Sequence, residues 1–194
     1  MQLNELKVEL RLNTELVELV ETLKNIAASQ YFLLERAKKR FEEFMDAFAE
    51  FFRVVDLADV VNPLVKPVSD QLGIVIVTSD SGFMGGLNQA VIRAAMAAQG
   101  DTPDEKTSLI MIGEKGAGVL TDQGRDFKFF QGVHQTTIYD QSVELRDYVV
   151  EEVKNGHLGK VVVCYPRPLS FTAQVTETVD LLPCGQLFDR VADS

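Results

Sequence analysis

The sequence predicts an α/β chain in two parts: a long N-terminal coiled-coil helix, then a small three-layer domain on a mostly parallel sheet. Three observations predict it. No glycine or proline occurs before Pro63. Alternating steps of four and three from Leu12 pick out Leu12, Leu16, Leu19, Leu23, Ile26, Gln30, Leu33, Ala37, Arg40, Phe44, Ala47, Phe51 and Val54, of which 11 of 13 are apolar. Beyond Pro67, β-branched apolar runs alternate with alanine-rich or amphipathic stretches.

The first two observations predict one helix from about residue 3 to about residue 60, rich in glutamate, lysine, leucine and alanine. At about 1.5 Å per residue it reaches roughly 85 Å, longer than a domain of the remaining residues is wide, so most of it must project. A helix folded back as a hairpin needs a turn signal midway, and none is visible. A heptad seam buries its stripe only against a second helix. No second long heptad segment is present, so the partner comes from another copy, another protein, or sequence this chain lacks. Glu5, Glu9, Glu15, Glu18 and Glu21 fall off the seam as counted from Leu12, and read as a solvated face first and a partner-recognition strip second.

Two prolines in the five residues PLVKP, 63–67, cannot continue a helix and mark the hinge. The expected organisation is a helix over 1–61, a linker over 62–72 and an α/β domain over 73–194. In the domain, IVIVTS (74–79), TSLIMIG (107–113) and KVVVCYPRP (160–168) read as strands buried on both faces. NQAVIRAAMAAQ (88–99) and EKGAGVLTDQG (114–124) read as helices, and FKFFQG as a short extended piece. SVELRDYVVEEVKNG (142–156) is an amphipathic helix with Val143, Tyr148, Val149, Val150 and Val153 on its apolar face. FTAQVTETVDLLP reads as an antiparallel edge strand with threonines and charges facing water. Strand, helix, strand, helix, strand gives a small Rossmann-like sandwich.

Composition narrows the function. A net charge of −10 and a pI near 4.7 argue against a nucleic-acid or anionic-membrane surface. Two cysteines, Cys164 and Cys184, suit a reducing interior better than a disulfide framework or a metal site. No run of about 18 apolar residues and no signal-like N-terminus is present, so the expectation is a soluble chain without direct membrane insertion.

The stretch SDSGFMGGLN (79–88) resembles a phosphate cradle, yet three templates fail on named positions. A Walker A loop needs its second glycine where Leu87 stands, followed by Lys-Ser or Lys-Thr. The dinucleotide spacing G-x-G-x-x-G is not met, and a nucleophile elbow at Ser79 needs a glycine where Val77 stands. The loop therefore reads as structural: Asp80 and Ser81 turn the chain, Gly82, Gly85 and Gly86 allow unusual backbone angles, and Asn88 caps the next helix. What stays open is an anion at that helix N-terminus. Lys115 reads as a solvated surface lysine, and His134 and His157 belong to no ligand pattern. No nucleophile, base and oxyanion site assembles, so the sequence predicts no catalytic residue, cofactor or metal.

With Ser79, Asp80, Gly82, Gly85, Gly86 and Asn88 matching SD-x-G-x-x-GG-x-N, LIMIGEKG after the second strand, and VTETVDLLP in the late hairpin, the chain resembles the gamma subunit of F-type rotary ATP synthases over nearly its whole length. LKNIAASQ (23–30) is similar to that family's small-residue helix segment inside the catalytic ring. The resemblance implies a non-catalytic central-stalk rotor. Its partners would be the alpha and beta subunits of the ring, the epsilon subunit and the membrane rotor ring, on the inner face of the cell membrane. It implies Leu23, Ile26 and Ala27 as coiled-coil contacts and Lys24 as a contact with the ring. Two departures stand out. The family's C-terminal helix is expected to be lacking here, and residues 1–61 hold 8 basic and 12 acidic side chains where the family is usually basic. Two other readings remain: a stand-alone coiled-coil interaction protein, and a nucleotide-binding α/β enzyme using the glycine loop.

Overall fold

A computed structural model describes residues 3–52, 61–82, 85–170 and 172–184. The chain divides into two compact units, Met1–Glu50 and Phe51–Ser194. The first unit is one helix, α1 (Leu3–Phe52), unbroken over 50 residues. Its length follows from the sequence, which offers no glycine or proline to end it. The expected continuation to residue 60 lies outside the described residues, as does Val54 at the end of the seam.

In the second unit, β1 (Leu72–Val77), α2 (Leu87–Gln99), β2 (Thr107–Ile112), α3 (Glu114–Asp122), β3 (Lys128–Phe130), α4 (Ile138–Lys154), β4 (Lys160–Pro168) and β5 (Gln174–Leu182) follow in order. The sheet order is β3-β2-β1-β4-β5, parallel except for β5, which pairs antiparallel with β4. The predicted α/β class, the mostly parallel sheet and the antiparallel edge strand are all present. FKFFQG contributes β3, a full member of the parallel sheet.

Period-two alternation splits the strands between two cores. Ile74, Ile76, Leu109, Met111, Val162 and Cys164 point to one face, where α2 brings Val91, Ile92 and Ala95 and α3 brings Leu120. Val75, Ile110, Ile112 and Val161 point to the other, where α4 brings Val149 and Val153 and Leu158 follows. Helices thus cover both faces, which is why the strands read as continuous apolar runs. α4 starts four residues earlier than its apolar pattern suggested, and Leu145 joins its buried side beside Tyr148.

The edge strand departs from simple alternation. A register shift between Val161 and Val162 leaves Leu182 buried and Leu181 exposed. Glu177 and Asp180 are only half-exposed because they pair with Arg167 and Lys160 across the hairpin. Residues 62–71 are tied to the sheet domain by backbone bonds: Cys184 N donates to Leu64 O (2.8 Å), and Gly159 N and Lys160 N donate to Gln71 O (2.8 and 3.0 Å).

Candidate functional site

Two regions carry the expectations raised by the sequence: the loop after β1 and the face of α1. The loop lies at the C-terminal ends of the parallel strands, where α/β folds hold ligands. Here those ends are filled by the protein's own groups. Thr78, 6% exposed, donates its Oγ1 hydrogen to Ile112 O (2.8 Å) and accepts from Gly116 N (3.1 Å). Ser79 O accepts from Lys115 N (3.0 Å). Asp80 Oδ1 accepts from Glu114 N (2.9 Å) and from Gly132 N (3.1 Å), while Oδ2 lies 3.3 Å from His134 Nε2.

Three consecutive residues of the β1 exit therefore satisfy the first three amides of α3, and the fourth, Ala117 N, bonds to Gly113 O (3.2 Å). A helix N-terminus attracts an anion because those amides are otherwise unpaired. At α3 none is left for a phosphate. The same carboxylate also fastens Gly132, two residues beyond β3, so the loop works as a clamp across the ends of β1, β2 and β3.

The clamp explains two glycines. Gly113 adopts φ +99°, and a Cβ there would collide with the carbonyl of Thr78. A Cβ on Gly132 would collide with the Asp80 carboxylate, so the backbone approach that makes the 3.1 Å bond needs glycine.

Two sequence expectations are corrected. Asn88 does not cap α2: the N-cap is Gly86 with no side-chain cap bond, and Asn88 sits inside the first turn. Its amide reaches back instead, Oδ1 accepting from Ser79 N (3.2 Å) and Nδ2 donating to Ser79 Oγ (2.9 Å). The glycines also differ from one another. Gly85 takes positive φ (+54°), whereas Gly86 is at φ −81° and Gly82 has no positive φ. Ser81 does turn the chain locally, accepting from Ser79 Oγ (2.7 Å).

Elsewhere the domain offers little for chemistry. Among the described residues no group of three or more His, Cys, Asp or Glu side chains could hold a metal ion. Burial pushes the Cys164 thiol up, which suits a core residue and not a nucleophile. Burial and the neighbouring Glu177 raise Tyr165 in the same way. A groove of about 470 Å³ opens between the end of β3 and α4, lined by Ile112, Phe130, Val133, Ile138 and Leu145.

The face of α1 is the opposite case. Leu12, Leu16, Leu19, Leu23, Ile26 and Leu33 are each more than half exposed, and so is Phe44. Leu23, Lys24, Ile26 and Ala27 are all exposed within one turn and a half of helix. From Leu12 to Phe44, α1 presents the exposed apolar stripe of a bundle helix.

The profile of the ATP synthase family matches residues 2–193. The chain belongs to the ATP synthase gamma-chain family. It is 22% identical to the ATP synthase gamma chain of Streptococcus agalactiae over 194 residues, covering 95% of this chain and 66% of that one. It is 30% identical to the gamma chain of Cytophaga hutchinsonii over 131 residues, covering 64% and 44%. The fold is that of a chain in the mitochondrial ATP synthase of Euglena gracilis, OSCP/F1/c-ring (TM-score 0.55, 17% identity, 95% of this chain and 58% of that one). A chain in the central stalk/c-ring of Tetrahymena thermophila mitochondrial ATP synthase matches similarly (TM-score 0.53, 20% identity, 88% and 76%). This gamma-family chain thus spans just under two thirds, 66%, of the length of the Streptococcus relative.

Sequence reasoning missed Thr78, Asp80 and Gly132 as one clamp. The signal was partial: the family pattern flags Asp80, but nothing in the sequence says that its carboxylate reaches residues 114 and 132.

Proposed function

We propose that this chain is a central-stalk rotor subunit of an F-type ATP synthase, coupling ion translocation to ATP synthesis or hydrolysis by rotation. In this reading α1 is one strand of the shaft, and the chain supplies no catalytic group. The observation that carries it is the uncovered seam of α1 in a member of the gamma-chain family. Such a stripe is stable only against another helix or a sleeve of protein. The partners are the alpha and beta subunits of the catalytic ring, the epsilon subunit and the membrane rotor ring, with the chain peripheral on the inner face of the cell membrane. Among the described residues no helix is long and apolar enough to cross a membrane, which suits a peripheral position. Leu23, Ile26 and Ala27 are the coiled-coil contacts and Lys24 a contact with the ring. The failed phosphate templates weigh against a nucleotide enzyme working through the SDSGFMGG loop.

The test is reconstitution of the chain with alpha and beta subunits, read as co-elution with the ring. Binding is expected, with loss in Leu23→Asp and Ile26→Asp and weakening in Lys24→Glu. A native chain that never associates with the ring, or one that binds ATP or a dinucleotide tightly in calorimetry, overturns the reading.

A further inference from the structure

The asparagines of the chain are followed by glutamate, threonine, isoleucine, proline and glutamine, except Asn155, which precedes Gly156. An asparagine before glycine can modify itself. The amide nitrogen of the next residue attacks the side-chain carbonyl carbon, and only glycine puts no Cβ in the way. A C–N bond forms and the Cγ–Nδ2 bond breaks. Hydroxide takes the proton of the attacking amide, and water returns one to the departing ammonia. Water then opens the cyclic imide at one of its two carbonyls, leaving aspartate or isoaspartate.

In the folded chain the end of α4 opposes this reaction. Asn155 closes the helix at φ −80° and ψ −4°, and Gly156 follows at φ +77°. A ψ near zero eclipses Gly156 N with the nitrogen of Asn155 itself. That is a third of a turn about the Cα–C bond from Cβ, whereas ring closure needs the attacking nitrogen on the Cβ side. The attacking N–H is also engaged, donating to Val153 O (3.1 Å), and His157 N donates to Glu152 O (2.9 Å). These two bonds are the paired closure of a helix ended by a left-handed glycine. Val153 anchors the last turn, fully buried in the core, while Asn155 is exposed to the water that the reaction consumes.

The products do not restore the cap. Aspartate at 155 sets a carboxylate at the negative end of the helix dipole, one turn after Glu151 and Glu152. Isoaspartate routes the main chain through Cβ, and the added carbon displaces Gly156 N and His157 N from their two carbonyls.

We propose that Asn155–Gly156 is a spontaneous deamidation site gated by the C-terminal cap of α4: shut while the cap is formed, opened by local unfolding of the last turn, and locked open once modified. Neither the rotor reading nor the face of α1 enters into it.

Ageing the full chain at mildly alkaline pH and mapping its peptides, with isoaspartate read by enzymatic methylation, tests it. In guanidinium that unfolds the chain, Asn155 should deamidate at least about tenfold faster than in buffer, since the folded rate is scaled by the fraction of time the cap is open. Val153→Ala loosens the last turn without touching the dipeptide and should raise the folded rate several-fold, with circular dichroism confirming the fold. Guanidinium below the unfolding midpoint should do the same in the native chain, which carries the test should that variant not fold. Chain that has formed isoaspartate should lose hydrogen-exchange protection at the amides of Gly156 and His157. Equal rates folded and unfolded, an Asn155 that stays intact in guanidinium, a folded rate unmoved by either perturbation, or a modified chain that keeps this protection overturns the proposal.

Discussion

In the sheet domain Ile74, Ile76, Ile110 and Met111 are fully buried, whereas the α1 seam leucines Leu12, Leu16, Leu19, Leu23 and Leu33 are more than half exposed. The two regions are alike in apolar content and opposite in where it goes. A strand buried on both faces finds its partners within about a hundred residues of its own chain. The heptad seam of α1 is exposed among the described residues, and its burial needs a second helix. The comparison separates a region whose apolar side chains are buried by its own sheet and helices from one whose apolar stripe is not.

Substitutions sharpen that contrast, beginning with the largest effect. Ile110→Ala removes a fully buried side chain from between the sheet and α4, and should lower stability in urea unfolding by about 2–5 kcal/mol. Asp80→Ala strands two backbone amides of the clamp and should cost about 1–3 kcal/mol in the same assay. Leu16→Ala on α1 should shift the unfolding of the monomeric chain by less than about 0.5 kcal/mol, since the side chain is 57% exposed. A loss at Leu16 as large as that at Ile110 would break the contrast.

The smallest effect is a pH dependence at the surface. The Lys106 ammonium, by hydrogen bond and charge, holds the Asp70 carboxyl below the usual carboxylate range. A lowered folded pKa contributes stability at neutral pH, and the contribution is lost as pH falls through that lowered value. Asp70→Asn should therefore melt slightly below the native chain at pH 7 and match it in acid, as followed by thermal unfolding. The pair is exposed, so the difference is expected to be near the limit of measurement.

Much of this was legible in the sequence because it depends on local pattern. The absence of glycine and proline over the first 62 residues gave the helix, and apolar runs of the right length gave β1, β2 and β4. What escaped depends on side chains that meet across long stretches of sequence. Asn88 has the residue type of a cap and the position of one to within two residues, yet its amide is used on Ser79. β5 lost its alternation to a register shift that no periodicity announces. Glu5 and Glu9 were misplaced because the seam was counted from Leu12 and not from the start of the helix: the same alternating steps taken backwards reach both.

The clamp at Asp80 also bears on the order of events in folding. Its two amide bonds join residues 34 and 52 positions apart, and both need the strand ends already in register. Bonds that wait on strand register are expected to carry low φ-values, closing after the transition state. Losing them should then leave the folding rate nearly unchanged and raise the unfolding rate, which the two arms of a chevron for Asp80→Ala would show directly. A loop whose bonds go to its own backbone would on this account set how long the domain persists once it is made.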